Sequence, residues 1–458
     1  MVEVRGMPAG VAVMHGGFSG PNKAMEEALE TMNPDYLAAD AGSTDAGPAF
    51  LGGEKGMTHR SGIKQSLEYI LPLAIKRNVP LIIGSAGMGG NNAGLKFFRE
   101  ITEEVAKEKD LHFKAAFIDS EQDKSYLKRR LKDNRIKPLY PAPPLTEDDI
   151  DKSTHIVGMM GTEPFIHALE KGAQVIIAGR SSDSALFAAV PIMKGIPLAQ
   201  AWHMAKVIDH GYTNIEPVPG VTTTVMGIAG QDYFQVEATN PLGMTDSKRV
   251  AHATVYENAS PYHMYEPPGM LDISKCNFQQ ISPRTVEVTG SLFQPLKYTI
   301  KLEGAERIGY RTITIAGTRD PVLINILDEF LAACKERCVT HASAQGIAPE
   351  SYKLFFRNYG KNAVMEAWEP NKETQATEIG IIGECVADTQ EIASAIMNMV
   401  HASLLHYNYP GRLHTTGNMA FPYSPHDIEC GPVYQFNMWH LLEPESPLDC
   451  CQIELVNL

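Results

Sequence analysis

The stretch Pro80-Leu-Ile-Ile-Gly84-Ser-Ala-Gly-Met-Gly-Gly-Asn-Asn92 sets a short apolar run against a glycine-rich turn. The run is strand-length and bounded by Pro and Gly. A helical pattern follows from about Asn92 to Glu108, so the segment predicts strand, turn and helix in that order. The same texture repeats on both sides. Val11-Ala-Val-Met14 and Tyr36-Leu-Ala-Ala-Asp40 predict strands, and Asn22 to Thr31 a helix. Gly62 to Arg77 repeats Ile63, Leu67, Ile70, Leu71 and Ala74 near the helical period. His112 to Ile118 and Gln174 to Gly179 predict two further strands, with a Pro-rich, acidic excursion from Ile136 to Asp151 between them. Alternation of this kind predicts βα units, hence an α/β fold whose first 210 residues form a doubly wound, mostly parallel sheet.

After about residue 210 the runs become β-branched and alternating, as in a half-buried antiparallel sheet. They are Val221 to Val225, Tyr233 to Glu237, Arg249 to Tyr256, Arg284 to Val288, Tyr298 to Leu302 and Arg311 to Ile315. A helix is expected over Asp320 to Thr340, then strands over Tyr352–Phe356, Ala363–Trp368 and Glu378–Cys385. A helix at Thr389–His406 and strands at Val433–His440 and Gln452–Val456 complete an α+β half. The expected domains are 1–210 and 211–458, the second dividing near 345–375.

The chain has 458 residues, 40 Lys+Arg against 54 Asp+Glu, and a net charge of −14. An acidic chain without a basic block is a poor match for a phosphate backbone, so no nucleic-acid partner is expected. No uncharged apolar run approaches about 18 residues and no secretory start is visible, which predicts a cytoplasmic protein without a membrane partner. Seven scattered cysteines do not make a disulfide framework. Cys334 and Cys338, four apart in a helical pattern, read as core packing in preference to zinc ligands.

The strand ends carry the chemistry. His15-Gly-Gly-Phe-Ser19-Gly follows the first strand, and Asp40-Ala-Gly-Ser43-Thr44-Asp45 the second. Gly84-Ser85-Ala-Gly87-Met-Gly89-Gly90-Asn91-Asn92 follows the third, Asp119-Ser120 the fourth and Gly179-Arg180-Ser181-Ser182-Asp183 the fifth. In a parallel sheet these junctions share one edge, where ligands bind. Glycine admits close backbone approach, and helix N-termini favour negative charge. The edge therefore suits a small anionic substrate. Each junction also has a plainer reading as a turn with an N-cap.

The spacing of Gly84, Gly87, Gly89 and Gly90 fits neither G-x-G-x-x-G nor a Walker loop, so no nucleotide cofactor is expected. Arg180 reads as a bidentate carboxylate clamp or as a structural ion pair, and Asp183 as a proton acceptor or an N-cap. Asp40 and Asp45 could divide acid and base roles. Asp183 in place of the last glycine of G-x-S-x-G weakens Ser181 as a nucleophile. No spacing demands a metal. His15 and His59 are spare proton-transfer candidates.

With these blocks the chain resembles the acyclic terpene utilization (AtuA-like) family. The likeness rests on His15 to Gly20, the loop after Pro80-Leu-Ile-Ile, and Glu163-Pro-Phe-Ile-His-Ala-Leu-Glu-Lys-Gly-Ala-Gln-Val-Ile-Ile-Ala-Gly-Arg-Ser-Ser-Asp183. It extends to Val255–Pro261, Glu266–Asp272, Gly383–Asp388 and Tyr409–Tyr434. The resemblance implies a cytosolic catabolic protein concerned with branched acyclic acids and their coenzyme A thioesters. It transfers no catalytic set. Ser85 stands where the family pattern has asparagine, which implies a different ligand.

The function expected is a hydratase, dehydratase or carbon–carbon lyase acting on a small carboxylic acid or its thioester, without a required cofactor and as a homo-oligomer. Asp183, or Asp40 with Asp45, would move the proton. Arg180 and the Gly84-loop N–H groups would hold the anion. Two alternatives are a serine hydrolase using Ser181 and a non-catalytic acyl-binding or scaffold subunit.

Overall fold

The computed structural model describes residues 2–9, 23–54, 56, 58–216, 224–371 and 376–458. The chain forms two compact units, Met1–Glu306 with Phe436–Leu458, and Arg307–Gln435. This division differs from one at residue 210, because the strands after 210 join the first sheet instead of founding their own.

The larger unit is built on a ten-stranded sheet. From edge to edge its strands are Asn277–Ser282, Thr285–Thr289, Tyr233–Ala238, Val225–Ala229, Val4–Pro8, Tyr36–Asp40, Leu81–Gly84, Val175–Ala178, Lys114–Asp119 and Gln452–Asn457. The five from Val4–Pro8 to Lys114–Asp119 run parallel, and the rest pair antiparallel. The α/β expectation is met, with an antiparallel wing on the parallel centre.

Alternation explains the two layers. Successive side chains of a strand face opposite ways. Leu37, Ala39, Leu81, Ile83, Phe117 and Ile177 face one side with Ile63, Leu67, Phe98 and Val105 of helices Arg60–Arg77 and Asn92–Glu108. Tyr36, Ala38, Ile82, Ile118 and Ile176 face the other, with Phe165, Leu186 and Trp202 of helices Glu163–Glu170, Asp183–Met193 and Leu198–Asp209. Both faces are covered, which is why the central strands read as unbroken apolar runs.

Several elements differ from the sequence expectations. Val11–Met14 lies outside the described residues, and the first described strand is Val4–Pro8. Arg249–Tyr256 is mostly the helix Ser247–Val255: Asp246 caps it by accepting from the N–H groups of Lys248 and Arg249, and Val250, Ala253 and Thr254 are its buried side. The excursion 136–151 contains the strand Ile136–Pro138 and the helix Glu147–Lys152, and the unread strand Ser153–Gly158 follows. Tyr298–Leu302 and Arg311–Ile315 fall in one strand, Ile300–Thr318. Ala363–Trp368 holds turns and a 3-10 helix, Glu366–Trp368.

In the smaller unit, strand Ile379–Ala387 lies between Tyr352–Tyr359 and residues 310–318, antiparallel to both. Helices Leu327–Ala344 and Gln390–His406 pack on them, and Cys334, Cys338 and Cys385 sit buried in that core. No helix among the described residues is long and apolar enough to cross a membrane.

His203 of the larger unit is fully buried between Ser291 (2.7 Å) and Thr254 (3.0 Å). Burial pushes its imidazole down to about 3. Its folded value lies below the unfolded value of about 6.5, so its contribution to stability is present above that pH and lost as pH falls from there toward 3. Melting temperature should decline over that window. His203→Gln should flatten the decline, and an unchanged pH dependence would contradict the assignment.

Candidate active site

The carboxyl ends of the parallel strands converge on Arg180, which follows strand Val175–Ala178 and is 4% exposed. Its backbone is fixed first. Its N–H donates to Ser120 Oγ (2.6 Å) and to the Gly90 carbonyl (3.2 Å), and its carbonyl accepts from Met160 N–H. Its side chain then meets Glu303, with Nε 2.8 Å from Oε2, and Ser85, with Nη1 3.2 Å from Oγ. Glu303 lies on strand Ile300–Thr318 opposite Val157. Its other oxygen receives Lys301 Nζ at 2.7 Å and the Thr44 hydroxyl at 3.1 Å.

The electrostatics are those of a buried ion pair. Burial alone would raise the Glu303 carboxyl, but Arg180 and Lys301 outweigh it and hold it down at about 2. Burial opposes the Arg180 charge, yet Glu303, Asp183 and Asp40 together raise its affinity for the proton. The carboxylate held by Arg180 is thus the protein's own. That is the arrangement of the second sequence reading of Arg180, a structural ion pair.

The Gly84 loop is also occupied by the protein. Residues 81–91 are buried throughout. Ser85 and Ala86 N–H groups donate to the carbonyls of Gly179 and Ala178, extending the ladder, so neither is turned to an external anion. A Cβ on Gly84 would lie 2.4 Å from Ser181 Oγ, and one on Gly89 2.8 Å from the Phe50 carbonyl. Gly87 touches Gly94. Gly90 has φ +69, and a Cβ there would lie 2.3 Å from the Arg180 nitrogen. Gly90→Ala should therefore cost about 1–2 kcal/mol in backbone strain alone, plus displacement of Arg180. Denaturant melts check this; a cost below that would mean the loop yields freely.

Two further carboxyls, Asp40 and Asp183, act on the Arg180 charge. Asp40 ends strand Tyr36–Asp40, and Asp183 opens helix Asp183–Met193 without making a side-chain cap. Asp183 Oδ1 is 3.6 Å from Arg180 Nη1. Among the described residues Asp40 Oδ1, Asp183 Oδ1 and Ser181 Oγ are buried without a hydrogen-bond partner. Burial, then Asp183 and Asp209, raise the Asp40 carboxyl well above its usual range against Arg180 and Ser85. Burial and Asp209 push Asp183 up to about 6, against Arg180, Lys206 and His210. Burial pushes Glu266 up to about 7, with the Ser182 hydroxyl donating to it at 2.7 Å and Asp183 adding to the rise.

The remaining expected site residues fall elsewhere. Asn91 caps helix Asn92–Glu108 and holds the carbonyls of Leu51 and Gly53. Asn92 N–H donates to Glu121, whose other oxygen lies 2.6 Å from His155 Nδ1. Asp119 accepts from Glu121 N–H. Ser43 accepts from Asp45 N–H, and Asp45 is exposed, so Asp40 and Asp45 stand in different surroundings. His59 is exposed as well. His15 and Ser19 lie outside the described residues. Sequence reasoning missed Glu303, Lys206, Asp209 and His210, and passed over Glu266 although it opens one of the family-like blocks. Partners from remote strands and helices carry no local motif.

Fold and site define a doubly wound α/β protein with an acid cluster around a buried arginine at the carboxyl edge of its strands. Residues 10–195 match the model of the acyclic terpene utilisation family protein AtuA, the family whose likeness the strand-end motifs carry. That span takes in four of the five parallel strands, all but Val4–Pro8, and Arg180–Asp183. No curated protein and no solved structure matches the chain.

Proposed function

We propose that this protein is a catabolic lyase that moves protons between Asp183, Glu266 and a small hydroxy acid or its acyl thioester. The observation that supports this is a pair of neighbouring carboxyls, Asp183 beside Arg180 and Glu266 on the Ser182 hydroxyl, lifted to about 6 and about 7. Groups tuned toward neutrality can both take and give a proton at working pH. Asp183 takes the proton α to the carbonyl, and Glu266 gives one to the leaving hydroxyl, so the C–O bond breaks with loss of water. Hydration is the same path reversed. Asp40, whose protonated form burial favours, donates to the oxygen where enolate charge develops. Arg180 positions Asp183 and Ser85 while Glu303 neutralises it. The family's description in terms of acyclic terpene utilisation places branched acids among the substrates to assay.

Among the described residues no base is hydrogen-bonded to the Ser181 hydroxyl, which favours the lyase reading over a serine nucleophile. The test of the lyase reading is α-deuterium exchange, in heavy water, into branched 3-hydroxy acids and their coenzyme A thioesters. Wild-type protein should exchange and Asp183→Asn should not. Equal exchange by both, or none with either substrate class, would overturn the reading. The second result together with a tightly held ligand would favour a binding subunit.

A further inference from the structure

In the smaller unit Tyr352–Tyr359 is an edge strand, paired on one side with Ile379–Ala387. Asp388 N–H donates to the Ser351 carbonyl at 3.0 Å, so Ser351 belongs to the set of residues bonded to that neighbour. Main-chain groups of an antiparallel strand alternate in direction. Lys353, Phe355 and Arg357 therefore bond inward, and the N–H and C=O groups of Tyr352, Leu354 and Phe356 point off the edge. The Asn358 carbonyl, of the same set, does so too: it accepts from the N–H groups of Lys361, Asn362 and Ala363 in the following turn. A groove of about 510 Å³ runs beside the edge, with Lys335, Leu354, Phe356, Asn362, Ala363 and Glu366 in its walls.

An open edge pairs with other strands unless proline, a bulge or charge guards it. Tyr352–Tyr359 has no proline, and its register with Ile379–Ala387 is unshifted. Phe355 is 44% exposed and Tyr359 50%, and Trp368, after the turn, is 84% exposed. The cations are mostly answered within the chain, which leaves little call for an acidic peptide. Arg357 pairs with Glu384 (3.0 Å) and Glu366 (3.6 Å), and Lys361 with Asp328 (2.7 Å). Among the described residues Lys353 is the one cation of the strand without an ion pair.

We infer that two copies of this chain join by antiparallel pairing of Tyr352–Tyr359 about a two-fold axis at Leu354. Each Leu354 then bonds to the partner's Leu354, and Tyr352 to the partner's Phe356, which engages the open main-chain groups from 352 to 356. Lys353 stands directly opposite the partner's Phe355, a cation against a ring, and symmetry repeats the pair. Glu350 falls opposite the partner's Asn358, next to Arg357. Charge and occupancy select this register. An axis at Phe355 would set Lys353 against the partner's Arg357, like charge facing like charge. An axis at Phe356 would set Leu354 against Asn358, whose carbonyl the turn already uses.

The test is sedimentation velocity of the full chain over a concentration series. Wild-type protein should sediment as a dimer at micromolar concentration. Phe355→Lys, which puts two lysines face to face at each of the two symmetric positions, should raise the dimer dissociation constant about tenfold or more. The double variant Lys353→Glu with Phe355→Lys should restore the dimer, because opposite charges then meet across the axis. Amide exchange at Leu354 and Phe356 should be slow in the dimer and fast in the Phe355→Lys monomer. Thermal melts confirm folding, with Phe355→Arg as the substitute if the lysine does not fold. A wild type that stays monomeric overturns the pairing and leaves the edge to a strand of another protein. A dimer that Phe355→Lys does not weaken, or that the double variant does not restore, overturns it as well.

Discussion

Asp183→Asn is expected to lower α-deuterium exchange about 10²–10⁴-fold, the usual contribution of one general base, and to raise the melting temperature above pH 6. The two effects have one cause. Burial and the neighbouring Asp209 lift the Asp183 carboxyl from its ordinary value to about 6. A folded value above the unfolded one means that its stability contribution is complete below about pH 4 and lost as pH rises through 6. The asparagine carries no such charge. Melting temperatures of the two proteins should coincide near pH 4 and separate at pH 8, with the variant higher. A variant that melts lower at pH 8 would show that Asp183 is a structural partner of Arg180 first and a base second.

Glu303→Gln should destabilise the larger unit by about 3–5 kcal/mol, the range for breaking one side of a buried pair. Glu303 and Arg180 side chains are 1% and 5% exposed, and their 2.8 Å contact is backed by Lys301 and Thr44. Removing the charge leaves a buried guanidinium whose partners among the described residues are Ser85, the Ser181 carbonyl and the more distant Asp183. The pH signature is opposite to that of Asp183. Glu303 is held down at about 2, so its stabilisation is present above about pH 4.5 and lost as pH falls toward 2. Chemical denaturation at pH 7 measures the difference; a change under about 1 kcal/mol would place the pair among weak surface bridges.

Much of this was legible in the chain. Apolar runs such as Leu81–Ile83 and Val175–Ala178 are bounded by glycine or small residues and can only be buried parallel strands, so the central sheet and its loaded edge followed. The convergence of Asp40, Thr44, Ser85, Arg180 and Asp183 followed from that edge rule. What could not be read was occupancy. Glu303 lies 123 residues beyond Arg180, in a β-branched strand whose pattern says nothing of what its side chain will meet. The glycines of the 84–90 loop pointed to close backbone approach, and close approach there is: Gly42 to Met88, Gly90 to Arg180. The partner is the protein itself. Arg249–Tyr256 misled because β-branched residues read as strand until the Asp246 cap and the buried spacing of Val250, Ala253 and Thr254 are weighed.

Infrared difference titration of the carboxyl groups reaches the central claim most directly, because it needs no substrate. Besides the raised Asp40 carboxyl, wild-type protein should lose protonated-carboxyl absorption in two steps, near pH 6 and near pH 7. Asp183→Asn should lack the first step and Glu266→Gln the second. Full ionisation of every aspartate and glutamate by about pH 5, the behaviour of ordinary solvated carboxyls, would contradict a proton-moving site at this edge of the sheet.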